Sequence, residues 1–262
     1  MNLIKLGGSV ITDKTSKDSF SHDVMDRVSS EINRSKKRTV LIHGAGSFGH
    51  ILADKYRLHK GYLNDEKQKK GVSLTSYNVQ KLNNLVLNSL IKNDVNAISI
   101  PTHVVLKLKD GCPLDINFDV FKGFLKKGFV PVGYGDVVLD EDKMFSICSG
   151  DLLMEELSRF FKPEKVVFVI DEDGLYSSNP KCNKDAEFIK KASISDIEEK
   201  LSTSLDRHAD VTGGMKGKLD SIRRIAEMGI DCYLINGKVK DRLYNLLIGN
   251  KDVKATLIKG VL

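Results

Sequence analysis

Several features are missing from this 262-residue sequence, and each absence removes a class of function. Its four cysteines (Cys112, Cys148, Cys182 and Cys232) lie far apart, without a C-x-x-C pair or a His/Cys metal spacing. That spacing excludes a zinc or disulfide framework and points to a reducing compartment. No apolar run approaches the length of a membrane span. Met1 to Leu6 lead straight into a strand pattern, so no signal peptide is expected. A soluble, cytoplasmic protein without a membrane partner is the expectation. The net charge of +6 mildly favours acidic ligands, but the lysines are scattered. They form no basic–aromatic stripe, so no nucleic-acid partner is expected. There is no G-x-S-x-G nucleophile motif, no cluster of metal ligands, no internal repeat and no low-complexity linker. Neither covalent catalysis nor a metal centre built from side chains is expected.

What is present is an ordinary globular balance, 41% hydrophobic and 29% charged, on a chain long enough to bury a large core. It suits one large α/β domain or two lobes. The organising stretch runs from Thr39 to His50, TVLIHGAGSFGH. An apolar, β-branched run reads as a buried strand. It enters three glycines, Gly44, Gly46 and Gly49, with His50 at the mouth of the following helix. Backbone N–H groups in such a turn, with the positive end of a helix dipole, bind an anion without a basic side chain. The segment from Gly44 to Gly49 also satisfies G-x-G-x-x-G. A dinucleotide fingerprint, however, needs an acidic residue closing the next strand about 20 residues on. Residues 57–71 are lysine-rich and polar, with no strand to close.

Two further loops repeat the pattern. A strand over 2–6 ends in Gly7, Gly8 and Ser9, a second phosphate cradle without Walker A spacing. Lys5 lies inside that strand near its carboxyl end, where burial is costly unless the ammonium meets an anion. Lys14 follows in a polar segment and could reach the same anion. Gly213 and Gly214 open a helix with Lys218 one turn on, a third anion site. Gly150 and Asp151 precede an apolar helix over 152–161. Asp151 serves equally as a helix-start acid or as the carboxylate that fixes two lysines around a phosphate.

Helical spacing predicts helices over 23–34, 76–92 and 118–125, and strands are expected over 96–100, 129–132, 166–170, 231–235 and 255–258. A small hairpin is expected near 104–115, and a Ser195/Glu198 capping box opening a short helix. Strand–helix–strand order predicts a mainly parallel sheet. A lobe boundary is expected between 151 and 163, with an N-terminal lobe over 1–155 and a C-terminal lobe over 156–262. Three glycine-rich strand ends with lysines around them suit more than one phosphate group. Positioning plus charge neutralisation is what phosphoryl transfer demands. The residues describe a kinase whose donor and acceptor are both anions.

The stretches Lys5–Ser9, His43–His50, Tyr134–Asp136, Ser149–Asp151, Asp171–Tyr176 and Asp210–Gly214 resemble the amino acid kinase superfamily, and most closely its isopentenyl phosphate kinases. The resemblance runs from the first strand to near the end of the chain. It implies a three-layer αβα sandwich with an open, mainly parallel sheet. It also implies a homodimer, with isopentenyl phosphate held in the N-terminal half and ATP in the C-terminal half. By that resemblance His50 hydrogen-bonds the acceptor phosphate, and Lys5 and Lys14 neutralise the transferred group. Gly8, Ala45, Gly46 and Gly49 offer backbone donors, Gly150 lies beside the substrate, and Asp151 orients Lys5 and Lys218. Gly7, Ser9, Asp171, Gly174, Tyr176, Gly214 and Lys218 contribute to the nucleotide site, and Mg²⁺ bridges the ATP phosphates. Fosfomycin or a nucleoside monophosphate is the alternative acceptor, and a non-catalytic nucleotide- or oxyanion-binding protein the alternative class. Two departures stand out. Ala45 replaces a common glycine, which is tolerable at negative φ, and Glu172 replaces an apolar residue. Tyr77, Leu82 and Ile98 are candidates for contact with an apolar substrate tail.

Overall fold

The computed structural model describes residues 1–13, 19–178, 180, 182–206 and 213–261. In its first half the elements are β1 (Asn2–Leu6), α1 (Gly8–Ile11), α2 (His22–Ser35), β2 (Thr39–His43), α3 (Gly46–Lys55), α4 (Glu66–Lys92), β3 (Ala97–Ser99), α5 (Thr102–Val105), β4 (Leu106–Lys109), β5 (Cys112–Ile116), α6 (Asp119–Lys126) and β6 (Val130–Tyr134). The rest comprises β7 (Asp136–Asp140), β8 (Met144–Cys148), α7 (Gly150–Phe161), β9 (Lys165–Ile170), β10 (Leu175–Tyr176), β11 (Phe188–Ile189), β12 (Lys191–Ala192), α8 (Ile194–Asp206), α9 (Gly213–Glu227), β13 (Cys232–Asn236), α10 (Arg242–Ile248) and β14 (Thr256–Ile258).

Apolar side chains at successive strand positions point to opposite faces, so a sheet with both faces covered must be apolar throughout. Every residue of β1 and β2 is buried, as is all of β9 after its first residue. One face carries Leu3, Ile42, Val166 and Phe168 against Phe121, Leu153, Leu157 and Ile222 from α6, α7 and α9. The other carries Ile4, Leu41, Val167 and Val169 against Met25, Val28, Val86 and Leu246 from α2, α4 and α10. The sheet has eight strands in the order β12-β14-β13-β9-β1-β2-β6-β3. The pairs from β13 to β3 are parallel, and β14 runs antiparallel to β13. The expected αβα sandwich and mainly parallel sheet are therefore what the chain forms. Neighbouring β9, β1, β2 and β6 bring four strand-end loops to one edge, where open α/β sheets bind ligands.

Several local expectations need correction. The helix expected over 76–92 starts ten residues earlier, at Glu66, with the Asp65 side chain accepting from Lys67 N at 2.9 Å. The lysine- and glutamine-rich opening carries almost no apolar periodicity, but those residues are good helix formers. The hairpin near 104–115 belongs to a second sheet, β5-β4-β7-β8, and residues 102–105 are helical. Asp140 knots this sheet, accepting from the N–H groups of Asp110, Gly111, Asp142 and Lys143 and from the Ser146 hydroxyl. The capping box of α8 is Ser193 with Asp196, two residues before the expected pair: each side chain accepts from the other's backbone N–H. Buried Glu31 on α2 accepts from Arg27 and from the N–H groups of Asp241 and Tyr244. It thereby satisfies donors at the start of α10 that no helical carbonyl reaches.

Candidate active site

The first two glycine loops are locked together. Past the strand ends, Gly7 N donates to Val169 O at 2.8 Å and Gly44 N to Leu6 O at 3.0 Å, extending the ladder into the loops. A Cβ on Gly8 would lie 2.6 Å from Gly46 Cα, and one on Gly44 2.9 Å from Gly8 N. Gly46 also has φ +51, where its Cβ would strike Thr12. Backbone approach this close admits only glycine. Thr12 ties the loops from below, donating to Gly8 O at 2.8 Å and accepting from Ser47 N at 3.2 Å. Ala45 has φ −72 and ψ −20, so an alanine is unstrained there. The N–H groups of Ala45 and Gly46 open α3, as those of Gly8 and Ser9 open α1, where helix geometry provides no carbonyl for them.

Lys5 rises from the carboxyl end of β1 with its side chain 6% exposed, in a charge-assisted hydrogen bond to Asp151. The two meanings left open for Asp151 are resolved by Ser149, the N-cap, whose hydroxyl accepts from Leu152 N at 3.1 Å. With the cap supplied by its neighbour, the Asp151 carboxylate in the first turn of α7 is directed at Lys5. Gly150 makes room for that contact, since a Cβ there would lie 3.0 Å from Lys5 Cε. Lys218 is close enough to act on both charges. Burial, with the Lys218 charge adding to it, lowers the Lys5 pKa to about 8 against the pull of Asp151. Burial raises Asp151, but Lys5 and Lys218, with His50 weaker, hold it below the usual carboxylate range. Lys5, Asp151, Lys218 and His50 thus form one electrostatic cluster, with His50 exposed on α3. Two lysines outweigh the one carboxylate, which suits a polyanion.

The second-half residues converge on the same edge. Ser9 donates to Asp171 at 2.9 Å, joining the first glycine loop to the end of β9. Asp173 instead accepts from Asn236, Arg242 and Lys254, fastening the loop after β9 to β13, α10 and the approach to β14. Despite its burial, these hydrogen bonds hold its carboxyl far below the ordinary range. Gly174 packs against β14: a Cβ would lie 2.3 Å from Thr256 Oγ1. Tyr176 stacks edge-on with Phe188 at 5.6 Å. Gly214 sits in the first turn of α9, four residues before Lys218. Lys14 and residues 207–212 lie outside the described residues. Of the tail candidates, Leu82 is fully buried core, Ile98 is half-buried and Tyr77 is exposed. The supporting roles of Thr12 and Ser149 escaped the sequence reading because a lone hydroxyl beside a glycine loop carries no pattern of its own.

Residues 1–236 match the amino acid kinase family, and the chain belongs to it. Within that family it is similar to isopentenyl phosphate kinases. The enzyme of Methanothermobacter thermautotrophicus is 37% identical over 99% of each chain. That of Thermoplasma acidophilum is 31% identical over 99% of this chain and all of its own. A crystal structure of an isopentenyl phosphate kinase superposes with a TM-score of 0.87 at 33% identity, covering 99% of this chain and 100% of its own.

Proposed function

We propose that this chain transfers the γ-phosphoryl group of ATP to the phosphate of isopentenyl phosphate, giving isopentenyl diphosphate and ADP. The observation that carries a phosphate-to-phosphate transfer is the buried Lys5–Asp151 pair, with Lys218 beside it, set where two interlocked glycine loops meet. Full-length similarity to isopentenyl phosphate kinases supports the acceptor. Similarity to a UMP kinase of Bacillus anthracis, at 15% identity and a TM-score of 0.69, concerns the fold alone.

In this proposal residues 1–155 hold the acceptor and residues 156–262 the nucleotide. The N–H groups at the start of α3 (Ala45, Gly46), with Gly49 and Gly150 alongside, cradle the acceptor phosphate, and His50 donates to it. Lys5 stands over the transferred phosphoryl group, with Gly7, Gly8 and Ser9 beneath, and the charge of Lys14 serves to neutralise the same group. Asp151 keeps Lys5 protonated and aimed. Lys218, Gly214, Asp171, Gly174 and Tyr176 face the nucleotide. No residue need form a covalent intermediate, because in-line transfer between two anions requires alignment and neutralisation. Among the described residues no group of three or more His, Cys, Asp or Glu side chains is arranged to hold a metal ion. That fits Mg²⁺ brought by ATP, since Mg²⁺ keeps several waters and takes phosphate oxygens with one or two carboxylates. Asp171, at the end of β9, is placed to be one of those carboxylates. When bound, the ion neutralises charge on the ATP phosphates. A homodimer is the assembly the family resemblance implies, and sedimentation measures it.

ADP release with Mg²⁺-ATP tests the acceptor across isopentenyl phosphate, dimethylallyl phosphate, fosfomycin, UMP and acetylglutamate. Preference for isopentenyl phosphate is expected. Preference for UMP or fosfomycin overturns the acceptor, and silence on all five with ATP still bound overturns the kinase.

A further inference from the structure

We propose that His43 is a positioning residue for the acceptor-phosphate loop: its Nδ1–H holds the Gly44 carbonyl and thereby turns the Ala45 N–H outward to the substrate. His43 ends β2 and is fully buried, stacked on Tyr134 with ring centroids 5.3 Å apart. Its Nδ1 lies 3.0 Å from Gly44 O and its Nε2 3.3 Å from Asn83 Oδ1 on α4. The other end of that amide is 2.8 Å from Ser99 Oγ.

The protons can be assigned by elimination. A backbone carbonyl only accepts, so the nitrogen facing Gly44 carries the hydrogen. Burial drives the His43 pKa down to about 4 against the hydrogen bonds to Gly44 and Asn83, so at neutral pH the ring has one N–H to give. Nε2 is then an acceptor, which the Asn83 amide meets once its ends, placed with Oδ1 toward His43 and Nδ2 toward Ser99, are exchanged. The two ends of an amide have the same shape, so the network decides which faces which. Tyr134 is in turn hydrogen-bonded with Ser99, so a chain of contacts joins Tyr134, Ser99, Asn83, His43 and Gly44.

The chain ends on the peptide that matters. In a trans peptide the carbonyl and the next N–H point to opposite sides. Fixing Gly44 O toward the ring therefore fixes Ala45 N–H away from it. The His43 backbone is committed as well: its carbonyl accepts from Gly135 N at 3.2 Å. A Cβ on Gly150 would lie 3.3 Å from the same oxygen. One residue thus sets the second glycine loop against both the end of β6 and the start of α7. The inference rests on assigning that loop to the acceptor phosphate.

Two substitutions separate the ring's nitrogens. Asparagine places its amide nitrogen where Nδ1 stands, and glutamine where Nε2 stands. His43→Gln should raise the KM for isopentenyl phosphate by about tenfold or more, the size of one lost positioned hydrogen bond, while His43→Asn stays within about threefold of wild type. The KM for ATP should be unmoved in both. Equal effects of the two variants on the acceptor, or a parallel rise for ATP, would overturn the proposal. ¹⁵N NMR of histidine-labelled wild type needs neither variant nor substrate, and so tests the bond even if isopentenyl phosphate proves the wrong acceptor. It should show a neutral Nδ1–H tautomer at pH 7.5; an Nε2–H tautomer or an imidazolium would overturn it.

Discussion

Lys5 carries its charge in a place that resists it, and the resistance has a measurable size. Its pKa falls from 10.5 to about 8, with burial the main cause. That fall, from 10.5 to about 8, disfavours the charged folded state by about 3 kcal/mol at neutral pH. The perturbation that isolates this is the double substitution Lys5→Met with Asp151→Asn, which removes both charges and keeps the volume. Asp151→Asn alone would strand the ammonium, and breaking a buried pair from one side costs about 3–5 kcal/mol unless the lysine deprotonates. The double variant should lose turnover by at least about 10³-fold, the scale of a lost transition-state electrostatic contact. Yet its urea midpoint at pH 7.5 should equal or exceed that of the wild type. The sign with pH follows from proton counts. Between about pH 8 and 10.5 the unfolded chain keeps a proton on Lys5 that the folded chain has released. Wild-type stability therefore rises with pH across that window relative to the double variant, by up to about 3 kcal/mol. Urea titrations of both proteins at pH 7.5, 9 and 10 measure it. A double variant with turnover within tenfold of wild type, or a gap that fails to move with pH, would refute the reasoning.

His50→Ala should cut turnover by about 10²–10⁴, as for a lost donor at the reacting phosphate, while calorimetry finds ATP affinity nearly intact. Gly8→Ala forces a Cβ to 2.6 Å from Gly46 Cα, whereas Gly217→Ala meets nothing within 4 Å. The first should destabilise by about 1–3 kcal/mol in thermal melts, and the second should stabilise α9 by up to about 1 kcal/mol. His43 adds an acid limb to stability. Its folded pKa of about 4 lies below the ordinary 6.5, so the unfolded chain takes the proton first. Stability should fall by roughly 3 kcal/mol as pH drops from 6.5 to 4, a fall that His43→Phe should lack in urea melts.

The parallel core was legible because β1, β2, β6, β9 and β13 are largely apolar and run into glycine or acid, so period and punctuation agree. Lys5 was legible for the opposite reason, as a charge where the pattern demands none. The β7–β8 hairpin was not, because Asp136 and Gly135 read as a loop and the sheet that holds the hairpin is completed by β4, far earlier in the chain. The start of α4 was invisible to periodicity because its first turns cover no core. The capping pair of α8 was displaced by two residues because Ser193, Ser195, Asp196 and Glu198 offer competing caps that only the fold separates. At the site, residue types and spacing led to Lys5, Asp151, Lys218 and His50, but not to the contacts that make them usable.

Those contacts share a logic. Each functional group at this edge is left available because a neighbour takes over its structural duty. Ser149 caps α7, so the Asp151 carboxylate is directed at Lys5. Thr12 holds Gly8 O and Ser47 N, so the two loops stay joined without drawing on the N–H groups of Ala45 and Gly46. Asp173 absorbs Asn236, Arg242 and Lys254, so Asp171 binds Ser9 at the face of the phosphate loops. Substituting a supporting hydroxyl should therefore act as a partial substitution of the group it frees. Ser149→Ala is the sharpest case. Loss of an N-cap costs about 1 kcal/mol in itself. It also invites the Asp151 carboxylate to turn back to the vacant cap, away from Lys5. Turnover should then fall more than the small stability change explains, and Ser149→Thr, which keeps the cap, should restore it. Equal activity of the alanine and threonine variants would show that Asp151 holds Lys5 without help.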